Sequence, residues 1–137
     1  MTIRAMRDED RTELIRLWQE CGLTRPWNDP DRDISLAHDA PDATILVGEA
    51  DGRIVASTMV GFDGHRGWLY YFGVAPDRRG RGLGRRLYDA AEGWLKARGA
   101  PKVQLMVRDD NSEAIGFYRA LGLELQEIVT LGRRLDG

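Results

Sequence analysis

The stretch Pro76-Asp-Arg-Arg-Gly-Arg-Gly-Leu-Gly-Arg-Arg86 decides how the rest of this chain is read. It stands where a strand pattern ends at Val74 and a helix pattern begins near Gly82, a junction at which backbone N–H groups converge and bind anions. Gly80, Gly82 and Gly84 permit positive φ and close backbone approach to a ligand. Arg81, Arg85 and Arg86 crowd the positive end of the helix dipole, where each cation is unfavourable by about 0.3–1 kcal/mol unless an anion compensates. A bound diphosphate would reverse that sign; without one the run is a solvated, Arg-rich first turn. A P-loop is excluded because no Lys precedes Ser or Thr. The dinucleotide fingerprint fails too, because Gly84 follows Gly82 at two residues and arginines come next.

Upstream of the loop the chain reads as antiparallel sheet. Residues 44–50 are β-branched and apolar, Asp51-Gly52 is a two-residue hairpin turn, and residues 53–62 form the return strand. Asp63 to Gly67 makes a second turn. Residues 68–74 then alternate, with Trp68, Tyr70, Phe72 and Val74 expected on one face. Before the hairpin, a short strand at 3–6 leads to Asp8 and Asp10, both acceptable caps. Leu14, Leu17, Trp18 and Cys21 follow with helical spacing. The Pro-stiffened loop Arg25-Pro-Trp-Asn-Asp-Pro30 precedes a short helix over 31–39.

Downstream, the loop opens a helix over 82–98 followed by a strand at 102–107, a crossover that makes a parallel pair. Asp110 or Asn111 caps another helix ending near Gly122, and strands at 123–127 and 129–134 close the chain. The fold class is α/β of mixed α+β kind. It comprises a mostly antiparallel sheet of six to seven strands with one parallel β-α-β crossover, about four helices, and a single domain over 1–137.

Composition narrows the function. The 137 residues carry a net charge of -2, which does not suit a general nucleic-acid binder. Seven basic and three acidic residues between Pro76 and Arg98 put that segment at +4 and the remainder at -6, a distribution that fits a local anionic ligand. The single cysteine, Cys21, supports neither a disulfide framework nor a thiolate metal cluster, and a reducing cytoplasm is expected. Cys21 has no recognisable base partner, so it reads as a buried thiol rather than a nucleophile. His38 and His65 lie too far apart for a metal pair. No apolar run reaches the ~20 residues of a membrane span.

With these residues in hand, Arg79-x-x-Gly82-x-Gly84 resembles the acetyl-CoA-binding motif of the GNAT (GCN5-related) N-acetyltransferase superfamily. Phe72-Gly-Val74-x-Pro76 is similar to that family's pantetheine-binding strand, and Asn111-x-x-Ala114-x-x-Phe117-Tyr118-x-x-x-Gly122-Leu123 to its second CoA-contacting motif. The order of elements matches over nearly the whole chain. Arg25 to Pro30, with Gly61 to Gly67, is similar to the small bacterial YpeA-like acetyltransferases.

The resemblance implies transfer of an acetyl group from acetyl-CoA directly to a primary amine, of a small molecule or alternatively of a protein N-terminus or lysine; a CoA-binding sensor without catalysis is a third reading. It implies that Arg79, Gly80, Arg81, Gly82, Leu83, Gly84 and Arg85 hold the pyrophosphate, and that Phe72 and Val74 pair with pantetheine like an added strand. Asn111 either contacts the pantetheine arm or caps its helix. Tyr118 is the candidate general acid for the departing thiolate, although it also falls on the core stripe Ala114, Phe117, Tyr118, Leu121. Some family members carry a Glu as base where this chain has Trp68. That departure leaves Tyr70, or water on Glu49 or Asp63, as candidates. Arg25, Trp27, Asn28 and Tyr70 are the candidate acceptor residues. A homodimer is compatible with the sequence.

Overall fold

The computed structural model describes residues 1–137, and the chain falls into two compact units, Met1–Met106 and Val107–Gly137. The first unit is built on a five-stranded sheet in the order β1-β2-β3-β4-β5. Its strands are β1 (Thr2–Ala5), β2 (Ala43–Ala50), β3 (Arg53–Phe62), β4 (Gly67–Val74) and β5 (Val103–Leu105). The first four are antiparallel, and β5 joins β4 in parallel after the crossover helix α3 (Leu83–Ala97). Asp51 and Gly52 both take positive φ, 53° and 73°, as a right-twisted two-residue hairpin demands.

Helices α1 (Arg11–Glu20) and α2 (Pro30–Asp39) cover one sheet face. Their apolar stripe, Leu14, Leu17, Trp18, Ile34 and Ala37, packs with Ile45, Val47 and Val55. The Trp18 indole donates to Ser57 Oγ at 2.9 Å, so this buried polar pair is satisfied. Helix α3 covers the other face with Leu87, Tyr88, Ala91 and Leu95, all buried. Asp10 caps the entry to α1 by position only. Its carboxylate instead accepts from the Arg7 N–H at 2.7 Å and from the Arg4 guanidinium at 2.7 and 3.1 Å.

Two expectations are corrected. Strict alternation along β4 fails, because Met59 pairs with Tyr70 while Ser57 pairs with Gly73. Thr58 therefore faces two residues, Tyr71 and Phe72, and Tyr71 takes φ 51°. This β-bulge moves the following residues to the opposite face. Six residues apart, Gly67 and Gly73 would share a face in a regular strand. Yet a Cβ at Gly67 would meet Leu95 of α3 at 2.6 Å, and one at Gly73 would meet Cys21 and Leu23 at 3.0 Å. Trp68 and Tyr70 thus stay on the α1/α2 side, while Phe72 and Val74 turn away from it.

The second correction concerns strand number, five rather than six to seven. Residues 123–134 carry the apolar content of two strands but form no strand, and Leu131 stands 92% exposed. Strand propensity describes a side chain suited to a pleated, half-buried surface, and here no ladder supplies one. The second unit's regular element is α4 (Ser112–Ala120), capped by Asn111, whose Oδ1 accepts from the Ala114 N–H at 3.1 Å.

Candidate active site

The loop after β4 has the geometry of an anion nest. A single 3-10 turn, Pro76–Arg78, leads into Gly80 and Gly82, both left-handed at φ 78° and 75°. Gly82 is the N-cap of α3; no side chain caps the helix and no acidic residue occupies its first turn. Arg78 N–H donates to Ala75 and Arg86 N–H to Gly82, but the seven amides from Arg79 to Arg85 donate to no protein group. Seven adjacent donors left open beside a helix N-terminus form a site for oxyanions. The guanidinium groups divide their work. Arg78 pairs with Asp51 at 3.0 Å, Arg79 donates to the Val74 carbonyl at 3.0 Å and Arg86 to the Met1 carbonyl at 2.7 Å. Arg81 and Arg85 make no ion pair and are exposed.

Beside the loop, β4 is paired with β5 only from Gly67 to Leu69. From Tyr70 onward that edge of β4 has no strand of the sheet beside it. The Thr58 hydroxyl donates to the Tyr70 carbonyl at 3.1 Å and fixes the strand where the pairing ends. The Val74 carbonyl is taken up within the protein, by Arg79 and by the Cys21 thiol at 3.3 Å. Burial pushes the Cys21 thiol above its ordinary range, so it stays protonated and is a poor nucleophile.

On the α1/α2 side a cavity of about 590 Å³ opens against the same stretch of β4. Leu23, Leu36, Ala37, Ala43 and Met59 give it apolar walls, and Asn28, Tyr70, Tyr71 and Asp33 supply its polar groups. Tyr71 stacks flat on Trp18, ring centroids 3.8 Å apart, and its hydroxyl donates to Asp33 Oδ2 at 2.6 Å. Burial and the Asp33 carboxylate both raise Tyr71 above the ordinary phenol value, so it remains a donor. Asn28 and Tyr70 were expected to face the acceptor and do line this cavity. Arg25 and Trp27 are not among its walls: Arg25 is spent on the carbonyls of Gly22 and Thr24 at 2.7 and 2.9 Å, and Trp27 is largely exposed.

Asp33 and Tyr71 escaped the sequence reading. Asp33 looks like an ordinary acidic residue in a helix first turn, and Tyr71 should have pointed to the opposite face. The available cue was Tyr70-Tyr71-Phe72-Gly73, three consecutive aromatics ending in glycine, which fits a bulged strand better than a half-buried regular one.

The base candidates separate clearly. Glu49 pairs with Arg4 at 3.1 Å and lies at the opposite end of β2 from Ala43, the β2 residue in the cavity wall. Asp63 closes its own turn, accepting from the Arg66 and His65 amides at 2.7 and 2.8 Å and from the Trp68 indole at 3.3 Å. The Arg66 and His65 hydrogen bonds hold its carboxyl below the usual range. Both carboxylates are committed to structure. Tyr70 is raised above the ordinary phenol value by burial and by the nearby Asp63, and stays neutral at pH 7.

In the second unit, Tyr118 lies on α4, half-buried, with its ring edge-on to Phe117 at 5.1 Å between centroids. Burial pushes its phenol well above the ordinary value. Asn111 has its side-chain oxygen in the cap of the same helix. No group of three or more His, Cys, Asp or Glu is placed to hold a metal, and no helix is long and apolar enough to cross a membrane.

Comparison with known proteins decides the family. The model of the Acetyltransferase (GNAT) family matches residues 4–123. The chain belongs to the GNAT acetyltransferases. An acetyltransferase of Pectobacterium atrosepticum is 52% identical over 137 residues, covering 98% of this chain and 96% of that protein. One from Yersinia pseudotuberculosis is 48% identical over 135 residues with the same coverage. Among solved structures, AAC(6')-Iy in complex with the bisubstrate analogue CoA-S-monomethyl-acetylneamine superposes with a TM-score of 0.83 at 20% identity, covering 97% of each chain. Glucosamine-6-phosphate N-acetyltransferase from Arabidopsis thaliana gives 0.78 at 22% identity, covering 98% of each. As a GNAT acetyltransferase, this protein is an enzyme of the N-acetyltransferase class.

Proposed function

We propose that this acetyltransferase uses acetyl-CoA to acetylate a primary amine of a small molecule by direct transfer. The observation that carries the reading is the run of seven open amides from Arg79 to Arg85 beside the unpaired Arg81 and Arg85. A diphosphate has the charge and the acceptor oxygens to satisfy that run. The bisubstrate complex of AAC(6')-Iy supports a CoA-type ligand in this fold. The family match runs past residue 106 to 123, which supports one acetyltransferase domain over 1–137. A single free cysteine and the lack of disulfides suit a reducing cytoplasm.

When bound, the co-substrate supplies an acetyl group activated as a thioester. The backbone of Arg79 to Arg85, including Gly80, Gly82, Leu83 and Gly84, holds its pyrophosphate. Phe72 and Val74 border its pantetheine along the open edge of β4, and Asn111 sets the start of α4. Tyr118 keeps its proton until a thiolate departs. Desolvation would raise the proton affinity of the thiolate as it raises that of the phenol, so Tyr118 serves as the proton donor in this reading. The cavity beneath Tyr70 takes the amine, and its size suits a small molecule rather than a peptide segment.

Calorimetric titration with acetyl-CoA tests the donor site, and the absence of binding at millimolar ligand would refute it. Tyr118→Phe is expected to lower kcat by roughly 10²-fold or more while acetyl-CoA affinity stays within about twofold. Equal loss of affinity and rate would assign Tyr118 to packing instead.

A further inference from the structure

The cavity reads as a selector for acceptors that carry a second positive charge. Asp33 is the only charged residue among its walls. One carboxylate oxygen accepts from Tyr71 at 2.6 Å, while the other, Oδ1, accepts from no protein group. Tyr71 itself is held by its stack on Trp18, so the carboxylate is positioned by a rigid neighbour. A lone carboxylate among Leu36, Ala37 and Met59 is an anchor for a cation.

The nitrogen held there is not the nucleophile. An alkylammonium, with an ordinary pKa near 10, keeps its proton beside a carboxylate, and only a neutral amine attacks a thioester. The reacting end belongs instead at the open edge of β4, a full tyrosine side chain away from Asp33. Apart from Asn28 and the two tyrosines, the remaining walls are apolar, with Leu23, Leu36, Ala37, Ala43 and Met59 among them.

Resting on the acetyltransferase reading above, we infer that the acceptor is an α,ω-diamine or an amine with a second cationic group at the far end of an apolar spacer. Asp33 binds the distal cation and the near amine is acetylated. The near nitrogen, having given its ammonium proton to solvent, forms the amide C–N bond as the C–S bond breaks; sulfur leaves as thiolate and takes a proton from Tyr118, the nitrogen loses a second proton to solvent, and solvent returns one to Tyr118. A polycation would find a single compensating carboxylate, so densely charged acceptors are disfavoured.

The test follows thiol release by the intact enzyme with acetyl-CoA and a series of diaminoalkanes, matched n-alkylamines, and aminoalkyl-trimethylammonium compounds with their neutral tert-butyl isosteres. Diamines and trimethylammonium compounds should exceed their neutral partners in kcat/KM by roughly tenfold or more. Asp33→Asn retains an oxygen for the Tyr71 hydroxyl, and thermal unfolding checks its fold; the preference should collapse towards one in this variant. Equal use of charged and neutral partners by the wild type would overturn the inference without any variant, as would a preference that survives Asp33→Asn. Turnover of monoamines alone would overturn it while sparing the acetyltransferase reading. No acetyl-CoA binding and no thiol release with any amine would sink both.

Discussion

At φ 75° and ψ 10°, Gly82 holds the turn that aims the loop amides outward, and nothing lies within 4 Å of where a Cβ would stand. A side chain there meets open space in the free protein, so its effects are local strain and obstruction of a ligand. Gly82→Val should cost about 1–2 kcal/mol for the left-handed torsion and remove acetyl-CoA binding. Thermal unfolding and calorimetric titration read the two effects separately, and wild-type affinity would contradict the nest. Asp10 presents the reverse case, a buried carboxylate whose role is structural. The Arg4 guanidinium, and after it the Arg7 N–H, hold it below its ordinary value. Because the folded-state value is depressed, this stabilisation is complete above the unfolded carboxylate value near 4 and is lost as pH falls through the folded one. Asp10→Asn should therefore lower stability at pH 7 by about 2 kcal/mol. It should also flatten the decline of stability below pH ~4; an unchanged acid limb in denaturant titrations would remove Asp10 from that role.

Among the elements, β4 repays the closest comparison between pattern and structure. The hairpin at Asp51-Gly52, the crossover into α3 and the glycine turn that opens α3 were legible, because each depends on local signals: paired positive-φ residues, a change from period 2 to 3.6, glycines at a helix start. The bulge was not, because it arises from register against β3, where Thr58 must face two residues. Two of the four polar side chains in the cavity beside β4 were hidden for the same reason. Asp33 and Tyr71 stand 38 positions apart and meet only once the bulge has turned Tyr71 toward α2. Nor could strand propensity in residues 123–134 reveal that no ladder forms there. Thr58→Val checks the bulge directly. The substitution keeps shape but removes the hydroxyl that donates to the part-buried Tyr70 carbonyl, at the point where β4 parts from β5. A loss of about 1 kcal/mol is expected, together with a rise in KM for the acceptor if it sits in the cavity that Tyr70 lines, as proposed above. Unchanged stability and KM would show that the register holds the bulge without Thr58.

On the scale of the whole molecule, charge is unevenly distributed, and this bears on how the proposed co-substrate acetyl-CoA would arrive. The chain is nearly neutral at -2, yet the segment from Pro76 to Arg98 carries +4 against -6 elsewhere. Within that segment Arg78 is neutralised by Asp51, whereas Arg81 and Arg85 are exposed without ion pairs. Two open guanidinium groups beside a helix N-terminus should speed encounter with a polyphosphate from a distance, an effect limited by the screening length of about 10 Å at 0.1 M salt and about 3 Å at 1 M. The amides make their hydrogen bonds in contact, inside that screening length, so dissociation should respond less. In stopped-flow mixing with acetyl-CoA, the association rate should fall roughly tenfold between low salt and ~0.5 M, with a smaller change in dissociation. Arg81→Gln with Arg85→Gln should remove most of that salt dependence while leaving the nest amides in place. A steep dependence that survives the double substitution would mean the steering charge lies elsewhere on the protein. A flat response in the wild type would mean that contact hydrogen bonds alone govern capture.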